Sequence, residues 1–204
     1  MTMGYLAADP ETGECVIIDV PLDSPDFFLG KIRENDLSLA GICLTHSHWD
    51  HSGDAPLLKR ETNADVFIHE ADAHRLEDPM KHSLMPLPFD LEPMRDYKTL
   101  KHGDVIKCGN LNFEVRHTPG HTEGGICLVE HDRKIVFSGD TLFSGSVGRV
   151  DLPGGSGETL IRSIKEQLMN LPDDFEVYSG HGPKTTIGNE RRSNPFLTGD
   201  VSIN

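Results

Sequence analysis

Apolar residues along this chain fall into short runs separated by Gly, Pro, Asp and Asn, the pattern of buried strands bounded by turns. Residues 3–7 and 15–20 flank Asp9-Pro10-Glu11-Thr12-Gly13, so the first predicted element is a hairpin closed by that turn. Ser24-Pro25-Asp26 has the order of a capping residue, a proline at the first helical position and an acid in the first turn. A helix is expected from there to about Asn35, with Phe28, Leu29 and Ile32 on its inner face. Residues 41–45 read as a buried strand, 55–61 as a helix and 66–69 as a strand. The second half is richer in strands, expected at 105–107, 111–117, 125–130, 134–138 and 175–179. Between the last two, Leu160, Ile161, Ile164 and Leu168 share one face of residues 158–170, an amphipathic helix ended by Pro172. Residues 79–94 are different. Pro79, Pro86, Pro88 and Pro93 stand there among Met80, Leu84, Met85, Leu87 and Phe89, a proline density that excludes a regular helix or central strand. An extended loop or flap bordering a substrate cleft is expected. Each half reads as strands followed by helix, without an internal repeat, which predicts an α/β protein of two packed sheets with helices outside.

Composition narrows the function classes. At 204 residues, with 36% hydrophobic and 25% charged side chains, the chain suits one domain over residues 1–204 with a core of its own. Acidic residues outnumber basic ones 33 to 19, and the net charge of −14 disfavours nucleic acid or an anionic membrane as partner. No apolar run approaches the roughly 20 residues of a membrane helix. The N-terminus, with Asp9 and Glu11 close behind Met1, has no basic region leading into an apolar core, so a cytoplasmic protein is expected. Cys15, Cys43, Cys108 and Cys127 sit in apolar stretches and read as buried free thiols. None lies beside a basic or His-rich turn that would make it a nucleophile.

The chemistry concentrates in Thr45-His46-Ser47-His48-Trp49-Asp50-His51, directly after the strand at 41–45. In an extended segment His46 and His48 point to the same side, so both can grip one metal ion. A turn at Trp49 would aim Asp50 and His51 at a neighbouring position, as in two-metal hydrolase sites. Three later strands end in polar, glycine-containing turns that each present one ligand type. These are Thr118-Pro119-Gly120-His121-Thr122, Gly139-Asp140-Thr141 and Gly180-His181-Gly182-Pro183. Glycine beside a ligand permits close backbone approach, and strand ends on one side of a sheet can converge. Trp49 is expected in the core. His69, His74, His82, His102, His117 and His131 lie outside these turns and are expected to be exposed or hydrogen-bonded rather than ligands.

His46-x-His48-x-Asp50-His51, followed by His121, Asp140 and His181, resembles the ligand set of the metallo-β-lactamase superfamily, in the family's order and over nearly the whole chain. The resemblance implies a four-layer αβ/βα sandwich with two mixed β-sheets face to face. The stretches 118–122, 138–143 and Gly148-Arg149 resemble the hydroxyacylglutathione hydrolases, or glyoxalase II enzymes. Carried over by position, His46, His48 and His121 would hold the first metal and Asp50, His51 and His181 the second. Asp140 would bridge them, Asp50 and Asp140 would be the catalytic carboxylates, and Asp19 would be a carboxylate that steadies the His loop. Imidazoles with carboxylates suit two divalent ions, zinc first, with iron or manganese also fitting. Long glyoxalase II enzymes carry a helical C-terminal domain that binds glutathione. Too little chain follows His181 for that, so residues 148–155 and 190–195 resemble short, single-domain glyoxalase II-like hydrolases instead.

The implied reaction is hydrolysis of a thioester such as S-lactoylglutathione by hydroxide generated on the metals. The small-molecule substrate would be its partner, Arg149 and Lys184 being candidates for holding carboxylates, in a monomer or small homo-oligomer. Two alternatives stay open. His46, His121 and Asp140 form a two-histidine, one-carboxylate subset suited to a mononuclear Fe(II) persulfide dioxygenase of the same superfamily. A non-catalytic metal-binding module would keep the scaffold without turnover.

Overall fold

The apolar runs form two mixed sheets packed face to face, with helices on the outer face of each, in a computed structural model that describes residues 1–83 and 87–203. The chain opens with the hairpin β1 (Tyr5–Ala8) and β2 (Glu14–Ile18), then α1 (Pro25–Glu34), β3 (Ser38–Cys43) and the single turn α2 (Trp49–Ser52). It continues through α3 (Ala55–Thr62), β4 (Val66–His69), α4 (Glu70–Glu77), α5 (Pro79–His82) and β5 (Lys98–Leu100). These strands form a sheet of order β1-β2-β3-β4-β5, antiparallel at β1–β2 and parallel from β2 onward. The second half comprises β6 (Val105–Cys108), β7 (Leu111–His117), β8 (Ile126–Glu130), β9 (Ile135–Gly139) and the hairpin β10 (Leu142–Phe143) and β11 (Ser146–Val147). After these come α6 (Gly157–Gln167), β12 (Glu176–Ser179), β13 (Thr185–Thr186), α7 (Ile187–Ser193) and α8 (Pro195–Thr198). The second sheet has the order β13-β12-β9-β8-β7-β6, with β12 parallel to β9 and the other neighbours antiparallel.

Alternation along the central strands assigns each side chain to a layer. Val16, Ile18 and Cys43 from the first sheet meet Phe113, Val115, Ile126, Leu128 and Phe137 from the second, forming the core between them. Their neighbours Ile17 and Ile42 face outward onto Phe28 of α1, Leu58 of α3 and Ala73 and Leu76 of α4. On the other side, Cys127, Val129 and Val136 face outward onto Leu160 and Ile164 of α6 and Ile187 of α7. Both faces of β2, β8 and β9 are covered, so they read as continuous apolar runs, whereas β7 alternates with Asn112, Glu114 and Arg116 on its outer side. The four free cysteines are all buried, as their apolar surroundings predict.

The hairpin, α1, α3, β4, β7 and α6 lie where the pattern predicts them, within a few residues. The stretch 79–94 is corrected in part. Pro79 starts the one-turn α5, which proline permits because the first helical N–H needs no partner. Residues 87–94 carry no helix or strand, and Leu84, Met85 and Pro86 of the expected flap lie outside the described residues.

Candidate metal centre

Every expected ligand sits just past the C-terminal end of a strand, and the strand directions send those ends to one edge of the sandwich. Residues 46–51 follow β3, His121 follows β7, Asp140 follows β9 and His181 follows β12. Asp19 follows β2, which runs parallel to β3. The two sheets are stitched at this edge by Ile126 N–H donating to Thr45 O over 2.9 Å.

His48 is extended and α2 begins at Trp49, so the chain turns there as the motif suggests. His46 Nε2 lies 3.1 Å and His121 Nε2 2.8 Å from His48 Nδ1. His51 Nε2 lies 3.3 Å from Asp140 Oδ1 and 3.4 Å from His181 Nε2. His181 Nε2 in turn lies 3.3 Å from Asp140 Oδ2 and 3.4 Å from Asp50 Oδ2. Three overlapping trios have ligand atoms within 4.8 Å of one another: His46, His48 and His121; His46, His51 and Asp140; Asp50, His51 and His181.

The outer nitrogens fix the ring orientations. Asp19 Oδ2 accepts from His51 Nδ1–H at 2.8 Å and from the Thr45 hydroxyl at 2.7 Å. The Thr45 oxygen, its own hydrogen given to Asp19, can accept from His46 Nδ1 at 3.1 Å. His121 Nδ1–H donates to Arg149 O at 2.7 Å and His181 Nδ1–H to Met1 O at 3.2 Å. Each of these four rings therefore turns its Nε2 inward. Thr2 donates its hydroxyl to Asp50 Oδ2 at 2.8 Å.

The two halves of the cluster differ in charge preference. Burial, reinforced by the neighbouring imidazoles, pushes His46 well below the ordinary histidine range, takes His48 to about 4 and lowers His121. Burial also opposes a charge on His51, but Asp19 and Asp140 outweigh it and hold its pKa well above the ordinary value. Hydrogen bonds to Asp140 and Asp50 raise His181 to about 10. Burial disfavours ionised Asp50 and Asp140, yet His181 and His51 overcome it, bringing Asp50 to about 2 and Asp140 well below its usual range.

These residues fit bound cations. With their Nδ1 hydrogens committed, His46 and His121 aim lone pairs at His48 Nδ1 within hydrogen-bond distance, a self-repelling arrangement unless a proton or cation lies among them. The neutral His48 ring can carry one hydrogen on Nδ1, enough for one of the two lone pairs, and burial disfavours a further, charging proton on these rings. His48 Nε2 is buried without a hydrogen-bond partner. Gly180 completes the cradle, because a Cβ there would collide with Asp140 Oδ1 and His51 Cε1. The His/Asp cluster is able to bind a dinuclear metal site, with donors that suit zinc, iron or manganese.

A cleft of about 360 Å³ opens onto the cluster, lined by His48, Asp50, His121, Asp140 and His181 together with Trp49, Pro79 and Leu152. Trp49 is thus a cleft wall and not a core residue. The turn that presents Asp50 and His51 swings its ring outward, edge-on to Phe89 with centroids 5.8 Å apart. Arg149 lines the cleft, but Asp151 holds its guanidinium through bonds of 2.7 and 2.6 Å. Lys184 is not among the cleft-lining residues. It pairs with Glu176 at 2.7 Å on the edge formed by β12 and β13. Of the other histidines, His69 stacks on His117 with centroids 3.9 Å apart, and none belongs to a ligand trio among the described residues. His82 does reach the cleft wall. Sequence reasoning missed Asp72, Thr2 and the Met1 carbonyl. Asp72 lies in Glu-Ala-Asp-Ala-His-Arg-Leu-Glu, which reads as a solvated polar run, and the first two residues carry no motif.

Comparison with known proteins agrees with this geometry. Residues 4–181 match the family described as the metallo-beta-lactamase superfamily. Hydroxyacylglutathione hydrolase GloC of Haemophilus influenzae is 42% identical over 183 residues, which make up 89% of this chain and 86% of that one. Among solved structures, BLEG-1 B3 metallo-beta-lactamase superposes with a TM-score of 0.86 at 35% identity, covering 97% of this chain and 94% of that one. TTHA1623 in a di-iron-bound form gives 0.82 at 35% identity, with 97% and 98% covered. ETHE1 from Myxococcus xanthus gives 0.79 at 32% identity, with 97% and 80% covered. With its two sheets, outer helices and ligand-bearing strand ends, the chain belongs to the metallo-beta-lactamase superfamily.

Proposed function

We propose that this protein is a metal-dependent hydrolase of glyoxalase II type that cleaves S-lactoylglutathione or a related acyl thiol to the acid and the free thiol. The observation that carries the reading is the pairing of two ligand trios, His46–His48–His121 and Asp50–His51–His181, with Asp140 within reach of both, at the bottom of one cleft. Likeness to the hydroxyacylglutathione hydrolase of Haemophilus influenzae supports the substrate class. The first trio would hold one divalent cation, the second trio the other, and Asp140 both, with zinc the proposed element. When bound, such cations supply a water that ionises near neutral pH and positive charge for the developing oxyanion.

The chain's own residues do the rest. Asp19 fixes His51 directly and His46 through Thr45. Asp50 and Asp140, the proposed catalytic carboxylates, stay ionised through the neutral range and can accept a hydrogen bond from the attacking water. Trp49, Pro79 and Leu152 exclude bulk water on one side of the cleft. The departing thiolate is a weak base, so no strong acid beside it is required. Arg149 remains the candidate for a substrate carboxylate at the cleft mouth, on the condition that it leaves Asp151. The protein would act in the cytoplasm as a monomer or small homo-oligomer, without nucleic-acid or membrane partners. Among the described residues no helix is long and apolar enough to cross a membrane.

Purified protein loaded with zinc should release thiol from S-lactoylglutathione. No release from this or other acyl thiols sinks the reading. A second reading, persulfide oxidation by one Fe(II), is favoured by His46, His121 and Asp140 as a two-histidine, one-carboxylate set. It leaves His48, Asp50, His51 and His181 without a role as ligands. Oxygen uptake with glutathione persulfide at one iron per chain would replace hydrolysis with that chemistry. Asp140→Ala separates both from a non-catalytic module: an enzyme loses metal and turnover together.

A further inference from the structure

α4 reaches both loops that carry the first ligand trio. Asp72, wholly buried in its first turn, accepts from Ser47 N–H and from the Ser47 hydroxyl at 2.9 Å each through Oδ2. Ser47 separates His46 from His48. Through Oδ1 the same carboxylate accepts from Gly124 N–H at 2.6 Å, three residues past His121. The approach is so close that a Cβ on Gly124 would collide with the Asp72 backbone and side chain. One turn further along α4, Arg75 is ion-paired to Glu123 and donates to Pro153 O at 3.0 Å, so the helix grips the His121 loop twice. The two loops are otherwise joined on the sheet side by the bond from Ile126 N–H to Thr45 O.

We propose that Asp72 is a positioning residue for the His46–His48–His121 metal position, setting the separation of His48 and His121 by clamping Ser47 to Gly124. The inference rests on the dinuclear reading above. All three of its bonds require an acceptor, and both backbone partners are donors. Asparagine keeps the shape but turns an NH2 toward one of those N–H groups, so one side of the clamp opens.

The test is zinc titration of the chelator-stripped protein against a chromophoric competitor, followed as two binding steps. His48→Ala identifies the step that belongs to the first trio. Asp72→Asn should weaken that step by about ten- to a hundredfold and leave the other in place. Ser47→Ala, which removes only the hydroxyl bond, should shift the same step less. Asp9→Asn is the matched control: Asp9 is also buried and accepts from Glu11 N–H, the Thr12 hydroxyl and Asn110 N–H at 3.0, 2.9 and 2.8 Å, but in the turn at the opposite end of β2. It should lower the melting temperature with both zinc steps unchanged. Native zinc affinities in Asp72→Asn, or equal weakening of both steps, overturn the proposal. Should Asp72→Asn fail to fold, an unchanged first step in Ser47→Ala overturns it. Wild-type protein without two zinc steps would instead remove the dinuclear reading itself.

Discussion

Asp19 acts on two ligand histidines at once, and its backbone permits a clean substitution. Its φ is +60°, a conformation that asparagine adopts as readily as aspartate. In Asp19→Asn an NH2 replaces the oxygen that accepts from His51 Nδ1–H, so His51 must accept there and carry its hydrogen on Nε2. The lone pair meant for metal is lost. We expect zinc affinity of the Asp50–His51–His181 position to fall about ten- to a hundredfold, read as metal per chain after dialysis. An unchanged two zinc per chain at low free metal would show that the tautomer is set elsewhere. Gly180→Ala acts by space instead, pushing its Cβ into Asp140 Oδ1 and His51 Cε1. Loss of both metals is expected there, with the metal-free fold retained by circular dichroism. The seven candidate ligands were legible because their residue types recur at strand ends in a short, dense pattern. Asp72 was not, since a buried acid on a helix looks the same in sequence as a solvated one.

At the scale of elements, legibility follows how much apolar surface an element buries. α6 announces itself through Leu160, Ile164 and Leu168, all fully buried. Its cap is visible only in the fold, where Ser156 accepts from Thr159 N–H at 3.3 Å. Ser156→Ala should cost about 1 kcal/mol in urea unfolding with the denaturant slope unchanged. A loss under a few tenths would mean that the helix start is held by its packing on the His121 loop alone. α4 escaped notice because it turns Asp72 and Arg75 inward along with Ala73 and Leu76, which erases the helical apolar stripe. β5 escaped for a different reason: an edge strand of three residues with one buried side chain has no period to detect. Trp49 was misassigned because an aromatic ring between two ligands has the same hydrophobicity whether it packs inward or walls a cleft.

Across the whole molecule, the opposed pKa shifts make the metal-free protein's stability a peaked function of pH. Between the ordinary histidine value of 6.5 and about 4, the unfolded chain takes up a proton at His48 that the folded protein refuses, and His46 and His121 add the same sign. Stability therefore falls as pH drops through that window. On the alkaline side His181, raised to about 10, holds a proton that the unfolded chain has already released, and His51 adds to it. That contribution is complete below 6.5 and is lost as pH rises toward 10, so the maximum lies near pH 6.5. Cations at the Asp50–His51–His181 position would replace those protons, releasing them on binding, and would add about 2.7 kcal/mol per site at a hundred times the dissociation constant. Melting temperatures of chelator-stripped protein from about pH 5 to about pH 9 should pass through this maximum, given the ordinary histidine range. Those of zinc-loaded protein should keep rising or level off over the same interval. A stripped protein whose melting temperature climbs steadily to pH 9 would mean that His51 and His181 are neutral in the empty site, and that Asp140 and Asp50 do not hold protons in the place of metal.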